Sequence, residues 1–230
     1  RDSLDLATRI VVLQPKATKE LRPSWQKKAR VIYQSVKALT SNTHAKERSS
    51  ASFDVSVIGH LRAVKDPFRT AMAVRLLSDS SRVRVLHVGG AMTEAMANRA
   101  RKEMSVNKRY KWLGQLSQLR VFQILKKSSL CVHSSRMEGG ANVLSEAIAA
   151  SVPILASRID GNIGILGAGY PGYFDVGNTS QLAQLLTRAE SSSEYLAELK
   201  AWGERLTRLV DPAREEQAWR ALINEFRLRK

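Results

Sequence analysis

The chain has 230 residues, of which 43% are hydrophobic, so it can bury a core and is not a disordered polypeptide. Its 37 Lys and Arg residues against 21 Asp and Glu residues give a net charge of +16, which favours anionic partners. The single cysteine, Cys131, excludes an internal disulfide and fits a reducing compartment, so we expect a cytoplasmic protein.

The basic residues are spread along the whole chain, and aromatic residues make up only 6% of it. Because neither a stacking platform nor a nucleic-acid motif is recognisable, nucleic acid is a disfavoured partner. A phosphate-bearing small substrate or an acidic partner domain explains the charge at least as well. No apolar run approaches the roughly 20 residues of a membrane span. The chain opens at Arg1 and enters a strand pattern almost at once, so we expect that an upstream part of a longer protein is missing.

Apolar runs alternate with amphipathic stretches almost from end to end. In the first half, the predicted elements are strands over 9–14, 29–35, 53–59 and 83–90, a short helix over 16–25, a helix opening at Pro67 and a helix over about 91–105. Residues 38–52 are polar and without pattern, and within them 41–52 is predicted to be a flexible linker.

The second half continues the alternation. Its predicted elements are strands over 111–114, 129–135, 153–157 and 173–176, helices over about 116–127 and 141–150, a helix capped near Thr179 or Ser180, and two long charged helices that reach Arg227. Strands that alternate with helices of about ten residues indicate an α/β protein with a doubly wound parallel sheet.

Ligands of open parallel sheets bind beyond the carboxyl ends of the strands, which directs attention to the loops over 59–66, 89–92, 134–142 and 157–164. The loop 138–142 is the most informative of these. Gly139 and Gly140 allow close approach to the backbone, and the helix behind them presents unpaired N–H groups, an arrangement that binds phosphate. The alternative is a tight turn with Glu138 or Asn142 as the helix cap.

Two acidic residues flank this loop. Glu138 precedes the glycines, and Glu146 follows eight positions later in the helix, where side chains lean toward the N-terminus. Carboxylates would repel a diphosphate, so their expected partners are neutral hydroxyl groups on either side of it, a sugar and a ribose. Taken alone, Glu146 is equally compatible with a solvated helix position.

The segment EGGANVLSEAIAASVPILAS resembles the motif of the large retaining glycosyltransferase family 4, in which a Glu, seven residues and a second Glu precede a Pro and a strand. LKKSSLCVHSS, IGHLRAVKDP, WLG and DVGNTSQLAQLL resemble further segments of that family, in the same order over about residues 50–190. ATRIVVLQPKATKEL and ARVIYQSV look like the strand, helix and strand that leave its N-terminal domain.

This resemblance implies a two-domain GT-B enzyme. Residues 1–40 would be the end of the N-terminal domain with the interdomain segment, and 53–209 the nucleotide-sugar-binding Rossmann-like domain. Residues 210–230 would be a helix that crosses back to the N-terminal domain, and we expect its apolar face to be exposed. Because almost all of the N-terminal domain lies outside this chain, we expect nucleotide binding without efficient turnover by the chain alone.

The resemblance also assigns roles to the acidic loop. It places Glu138 beside the transferred sugar, as a catalytic residue, and Glu146 on the ribose hydroxyls. The backbone of Gly139, Gly140, Ala141 and Asn142 would hold sugar hydroxyls and phosphate.

The basic residues of the first loop match the family less completely. Lys65 corresponds to the lysine that contacts the diphosphate and is the second catalytic candidate. His60 stands where the family has an arginine, so either His60 itself or Arg62, two positions on, is the candidate for that donor contact.

VIGHLRAVKDPFRTAMAVRLL, SSRMEGGANVLSEAIAASVPILASRIDGNIGILG and YPGYF resemble more specifically the selenosugar synthases of selenoneine biosynthesis. That likeness implies transfer of a sugar from a UDP-sugar, such as UDP-N-acetylglucosamine, to selenophosphate. Both substrates are anionic, and Arg136 and Arg158 are candidate anion contacts. Exposed surface arginine is the alternative for each.

The remaining chemically active residue types are predicted to be structural. Cys131, His87 and His133 lie within strands and are expected to pack there, His44 lies in the linker, and the four tryptophans are expected to pack. No Asp-x-Asp metal motif is present, so we expect a metal-independent reaction with the nucleotide sugar as substrate and no cofactor. Two rival functions remain open: a nucleotide-sugar epimerase or hydrolase, and a basic polyanion-binding module.

Overall fold

The computed structural model describes residues 3–36 and 52–227. The predicted linker over 41–52, with His44, therefore lies outside the described residues except for Ser52. The strands are β1 (Ile10–Val12), β2 (Ala29–Val31), β3 (Phe53–Ile58), β4 (Val83–Val88), β5 (Tyr110–Trp112), β6 (Leu130–His133), β7 (Ile154–Ser157) and β8 (Tyr173–Phe174).

The helices alternate with the strands. They are α1 (Ser3–Leu6), α2 (Lys16–Lys19), α3 (Pro23–Gln26), α4 (Arg69–Val74), α5 (Glu94–Val106), α6 (Gln118–Lys127), α7 (Asn142–Ala149), α8 (Asp160–Leu166), α9 (Thr179–Ser191), α10 (Ser193–Arg205) and α11 (Pro212–Arg227). Short 3₁₀ helices occupy Ala63–Lys65 and Thr207–Val210.

Strands β3 to β8 form one six-stranded sheet in the order β5-β4-β3-β6-β7-β8. Every neighbouring pair is parallel, as predicted for a doubly wound α/β protein. The chain builds the sheet outward from β3 in one direction and then returns to place β6 on its other side. The carboxyl ends of β3 and β6 therefore flank the point where the strand order reverses, which is where open α/β sheets bind ligands.

The core fills both faces of this sheet, because parallel strands covered by helices are buried on both sides. All four residues of β6 and all four of β7 are buried. Leu144 and Ile148 of α7 and Leu182 and Leu186 of α9 are almost completely buried in the same apolar core. The central strands are thus held rigidly, and their carboxyl ends offer a fixed platform for the loops that follow.

Strands β1 and β2 form a separate parallel pair, with a small apolar cluster of Ile10, Val12 and Trp25. This N-terminal unit lies against the loop over 138–140 and against α8. A Cβ atom added to Gly140 would lie 2.6 Å from the Leu13 side chain, and Lys16 Nζ lies 2.6 Å from Asp160 Oδ1. The unit therefore covers part of the edge where the strands of the large sheet end.

Helix α11 joins the end of the chain to this N-terminal unit. Glu225 accepts hydrogen bonds from Arg9 and Arg30, each with a donor–acceptor distance of 2.7 Å. On another face, Trp219, Ile223 and Phe226 are 41%, 50% and 41% exposed at helical spacing, as expected for an uncovered apolar stripe. The expectation that all four tryptophans pack is therefore wrong for Trp219.

Two predicted helix boundaries are wrong for local reasons. The helix expected over 16–25 is two short helices, because Arg22 is extended and Pro23 starts α3 at a position that needs no N–H donor. Helix α9 does begin at Thr179, but its cap is Asn178, whose side chain accepts from the Gln181 amide.

Helix α8 has no counterpart in the prediction, because its two glycines lower the helix propensity. Both glycines instead satisfy a packing requirement. A Cβ atom at Gly161 would lie 2.2 Å from the Glu138 carbonyl oxygen, and one at Gly164 would lie 1.9 Å from the Gln14 side chain. The structure thus uses α8 to support the loop that precedes α7.

Gly89 offers a test of this packing at the carboxyl end of β4. Its φ is +153°, and an added Cβ would lie 2.0 Å from the Gly59 carbonyl oxygen. We expect Gly89→Ala to lower the free energy of unfolding by about 3 kcal/mol or more, because backbone must shift. Urea denaturation followed by circular dichroism measures this change. Gly59→Ala is the matched control, since no atom lies within 4 Å of its added Cβ; equal effects of the two substitutions would contradict the prediction.

Candidate functional site

The loops that follow β3 and β6 are bonded to each other where the strand order reverses. Ser134 Oγ donates to the Lys65 carbonyl at 3.2 Å and to the Asp66 carbonyl at 3.0 Å. The Arg136 amide donates to the Val64 carbonyl at 2.8 Å. These bonds fix the relative positions of two loops that are about 70 residues apart in the sequence.

Asp66 anchors the first of these loops to neighbouring parts of the chain through Arg69. It is buried and has a left-handed backbone, with φ 44°, at the end of the 3₁₀ helix. Its carboxylate accepts a hydrogen bond from Arg69 at 2.8 Å, and Arg69 also donates to the Gly177 carbonyl and to Thr179. Neither Asp66 nor Arg69 lies in a sequence pattern that predicts a role, although Asp is one of the residues that tolerate a left-handed turn position.

The junction brings together the two predicted catalytic residues. Lys65 Nζ lies 2.5 Å from Glu138 Oε1, and the two side chains are only 29% and 10% exposed. Burial by itself would raise the pKa of Glu138, but the contacts with His133, Lys65 and Ser135 outweigh burial and lower the pKa to about 2. Glu138 is therefore an ionised acceptor at neutral pH.

His133 lies on the far side of the same carboxylate. It is the last residue of β6, it is 3% exposed, and its Nε2 lies 3.4 Å from Glu138 Oε1. This contact lacks hydrogen-bond geometry, and Nε2 has no other hydrogen-bond partner among the described residues. Burial lowers the pKa of His133, so the ring is neutral at physiological pH. His133 is buried, as predicted for a strand residue, but its proximity to Glu138 was not predicted from the sequence.

The glycine loop presents unpaired backbone donors. The N–H groups over 139–142 donate to no acceptor in the part of the chain that the structure describes. Ala141 occupies the cap position of α7 without a side-chain hydrogen bond, so the alternative in which Glu138 or Asn142 caps the helix is wrong. Gly139 is exposed with open space around it, whereas Leu13 covers Gly140. The amide dipoles at this helix terminus favour an anion.

Glu146 faces a different space from Glu138. It lines a cavity of about 330 Å³ whose wall Glu138 does not join. The carboxylate of Glu146 has no hydrogen-bond or ion-pair partner among residues 3–36 and 52–227, and burial raises its pKa. The cavity wall also includes Gln34, Gln118 and Asn142, whose side-chain amides are likewise uncommitted to any described residue.

The remaining predicted basic residues are placed around the edge of the site. His60 is exposed, and its Nδ1 accepts a hydrogen bond from the Gly90 amide at 3.0 Å, so only its other ring nitrogen can contact a ligand. Arg62 is exposed, and its guanidinium contacts no partner in the described parts of the chain.

Arg136 and Arg158 are also exposed, and each already has one interaction. The guanidinium of Arg136 lies 3.9 Å from Asp66, and that of Arg158 lies 4.8 Å from the centre of the Tyr173 ring. Both retain solvent-facing donors at the carboxyl edge of the sheet.

Two other residues conform to the structural roles predicted for them. His87 is buried, bonded to Tyr110 and the Gly59 carbonyl, and burial lowers its pKa to about 4. Cys131 is fully buried, and burial raises the pKa of its thiol to about 12, so no reactive thiolate forms at neutral pH.

Within the described residues, no three or more His, Cys, Asp or Glu side chains are grouped so that they could hold a metal ion. None of the described helices has the length and apolar character needed to cross a membrane.

A family model described as glycosyl transferases group 1 matches residues 41–205. No curated protein matches the chain in a sequence search. Among solved structures, Anabaena HepE in complex with UDP and glucose superimposes with a TM-score of 0.82 at 16% identity, covering 97% of this chain and 66% of HepE. The chain thus spans just under two thirds of that protein's length.

Two further structures share the fold. Sucrose-phosphate synthase from Thermosynechococcus elongatus has a TM-score of 0.79 at 20% identity, covering 96% of this chain and 59% of its own. A mutant of S. aureus TarM, in complex with Fondaparinux, alpha-GlcNAc-glycerol and UDP, has a TM-score of 0.75 at 16% identity. The match covers 96% of this chain and 45% of the TarM chain. At these identities the likeness establishes the fold.

The lowered pKa of Glu138 predicts a specific dependence of stability on pH. Its carboxylate stabilises the fold above its ordinary pKa of 4.5, and this contribution disappears as the pH falls toward about 2. Between pH 5 and pH 2, wild-type protein should lose about 2 kcal/mol more unfolding free energy than Glu138→Gln, because the variant has no carboxylate to protonate at this position. Urea denaturation at stepped pH measures the difference.

Glu204→Gln, which removes an exposed carboxylate of α10, provides the control. Its pH profile should follow that of the wild type. Parallel profiles for wild type and Glu138→Gln would show that the contacts of Glu138 contribute no stability.

Proposed function

The chain belongs to the group 1 glycosyl transferases, and we propose that it is part of a retaining glycosyltransferase of the two-domain GT-B type, which transfers a sugar from a nucleotide-sugar donor. The observation that carries this proposal is the Lys65–Glu138 ion pair beside the unpaired N–H groups over 139–142. This loop junction holds a cation and unpaired helix amides, which suit a diphosphate. It also holds a carboxylate, which suits the hydroxyl groups of a sugar.

The positive groups act on the diphosphate. The N–H groups at the start of α7 bind phosphate oxygens, and Lys65 exchanges its contact with Glu138 for the diphosphate. As the glycosidic bond breaks, negative charge accumulates on the leaving diphosphate, and these fixed donors stabilise it. Arg62, exposed and without a partner among the described residues, supplies a second cation. No metal ion is needed in this scheme.

Glu138 acts on the sugar as an orienting group. Its ionised carboxylate accepts hydrogen bonds from sugar hydroxyls and fixes the anomeric carbon in front of the diphosphate. The acceptor attacks from the face that the diphosphate leaves, so the anomeric configuration is retained. No covalent nucleophile from this chain takes part.

The cavity at Glu146 takes the nucleoside. Its volume of about 330 Å³ falls at the lower end of small-molecule sites, and a carboxylate without a cationic partner suits the two hydroxyls of a ribose. Uncommitted amides of Gln34, Gln118 and Asn142 offer both donors and acceptors to a base. We propose uracil as the base of the donor, and the UDP present in the HepE and TarM structures supports this choice.

The acceptor is proposed from the resemblance of the loop segments to selenosugar synthases. On that basis UDP-N-acetylglucosamine is the donor and selenophosphate the acceptor, in the cytoplasm of the cell. Arg136 and Arg158, exposed at the carboxyl edge, would attract the anionic acceptor. The site belongs to the family 4 type in this proposal.

The domain arrangement is proposed on the same ground. Residues 1–40 would end an N-terminal domain, 41–52 would be the linker, 53–209 the nucleotide-sugar-binding domain and 210–230 the helix that returns to the N-terminal domain. The ion pairs of Glu225 with Arg9 and Arg30 support this return. The partner of the site is then the N-terminal domain of the same protein, with no role for nucleic acid.

Binding of UDP is the first test. We expect calorimetry to detect UDP binding by the wild-type chain, with about tenfold or greater loss of affinity in Lys65→Met, because a hydrogen-bonded charge on the diphosphate is lost. Lys200→Met removes the same charge from an exposed position of α10 and should leave affinity unchanged. Absence of any UDP binding by the wild type would refute the proposed donor.

Product analysis separates transfer from the rival reactions. With the full-length enzyme, UDP-N-acetylglucosamine and selenophosphate should yield UDP and a selenium-linked sugar, and Glu138→Ala should lower kcat/KM by about 100-fold or more. A changed nucleotide sugar without acceptor would indicate an epimerase, and free sugar would indicate a hydrolase. Tight, salt-sensitive oligonucleotide binding without UDP binding would instead identify a polyanion-binding module.

A further inference from the structure

His133 is a buried polar side chain that the proposed reaction does not use. Its ring lies at the carboxyl end of a central strand, where pairing of β6 with β3 and β7 fixes the backbone. At 3% exposure the ring has little freedom to turn toward solvent. Its Nε2 has no hydrogen-bond partner among the described residues, which is uncommon for a buried nitrogen.

A polar atom of the predicted catalytic carboxylate lies close to this nitrogen. Glu138 Oε1 lies 2.5 Å from Lys65 Nζ and 3.4 Å from His133 Nε2. The oxygen is thus strongly bonded to the lysine and only approached by the histidine. A neutral imidazole can donate from Nε2, so a shift of the carboxylate by a few tenths of an ångström toward the ring would complete a hydrogen bond.

The proposed function supplies a reason for that shift. A diphosphate in the site competes with Glu138 for the ammonium group of Lys65, because both are anions and Lys65 is the cation between them. Once Lys65 turns to the diphosphate, Glu138 would remain as a largely buried carboxylate without its strongest partner, which is unfavourable. His133 is the group already in place to replace it.

Resting on that proposed function, we propose that His133 is a positioning residue: its Nε2–H becomes the hydrogen-bond donor to Glu138 when a nucleoside diphosphate draws Lys65 away. The carboxylate then stays ionised and directed at the sugar, and Lys65 is released to the phosphate. No proton is transferred in this exchange.

Ring-nitrogen NMR of 15N-histidine-labelled protein tests the exchange directly. The chain has four histidines, and His133→Gln identifies the signal of His133. Saturating UDP should move the His133 Nε2–H resonance downfield, as expected for a hydrogen bond that shortens. His87 is the matched control, because it is equally buried and already bonded to Tyr110 and Gly59, so its signals should stay in place.

Lys65→Met makes the test independent of ligand. Without the ammonium group, the Glu138 carboxylate should accept the hydrogen bond from His133 even when UDP is absent. The His133 signal of the variant should therefore resemble that of the UDP-bound wild type. If UDP binds to the wild type and neither UDP nor Lys65→Met moves the His133 signal, the proposal is wrong. If UDP does not bind at all, the proposed function fails, and the Lys65→Met spectrum alone decides whether His133 can take over the carboxylate.

Affinity measurements add a second readout. His133→Leu removes the donor with an apolar side chain that suits burial, and it should weaken UDP binding about 10-fold or more, because Glu138 then competes fully for Lys65. His133→Gln retains an N–H donor and should restore most of the affinity. Equal losses in the two variants, with equal melting temperatures, would overturn the positioning role.

Discussion

The ion pair between Lys65 and Glu138 joins two loops that leave neighbouring strands on either side of the point where the strand order reverses. The residues are 73 positions apart, and they meet because β3 and β6 are adjacent and parallel, so that both loops emerge at one edge. Hydrogen bonds from Ser134 to the Lys65 and Asp66 carbonyls support the pair, and the Asp66–Arg69 ion pair fixes the loop beneath it. A cation and an anion held in this way are positioned before any ligand arrives, which lowers the entropic cost of binding.

The two acidic residues of the motif have different environments, and that difference separates their chemistry. Glu138 has cationic and polar neighbours that lower its pKa to about 2, whereas burial without a partner raises the pKa of Glu146. A carboxylate with a competing cation can exchange partners during a reaction, while an uncommitted one is suited to neutral hydroxyls. Two chemically identical side chains thus have opposite pKa shifts because of what surrounds them, and the proposed function gives them different partners, a sugar and a ribose.

The N-terminal unit and α11 form the boundary of the site. Leu13 lies against Gly140, and Gln34 forms part of the wall of the Glu146 cavity, so residues from the start of the chain shape both the glycine loop and the cavity. Glu225 connects Arg9 and Arg30 to α11, which carries the exposed stripe of Trp219, Ile223 and Phe226. The N-terminal unit therefore contacts both the glycine loop and α11.

The sequence by itself determined the fold class, the order of the strands along the chain and the loop that carries the acidic motif. Apolar runs and their spacing are local properties, and local properties predict β3, β4, β6 and α7 within a few residues. Helix α8 was not predicted, because its glycines are required by close contacts with Glu138 and Gln14, and these contacts cannot be read from a local sequence pattern. Only the tertiary structure decided that His133 approaches Glu138, that Glu146 faces a separate cavity, and that Ala141 rather than Asn142 precedes the helix at its cap. The physical reason is that pairing between strands distant in the sequence determines which side chains share a site. Burial by segments distant in the sequence then shifts the pKa values of those side chains.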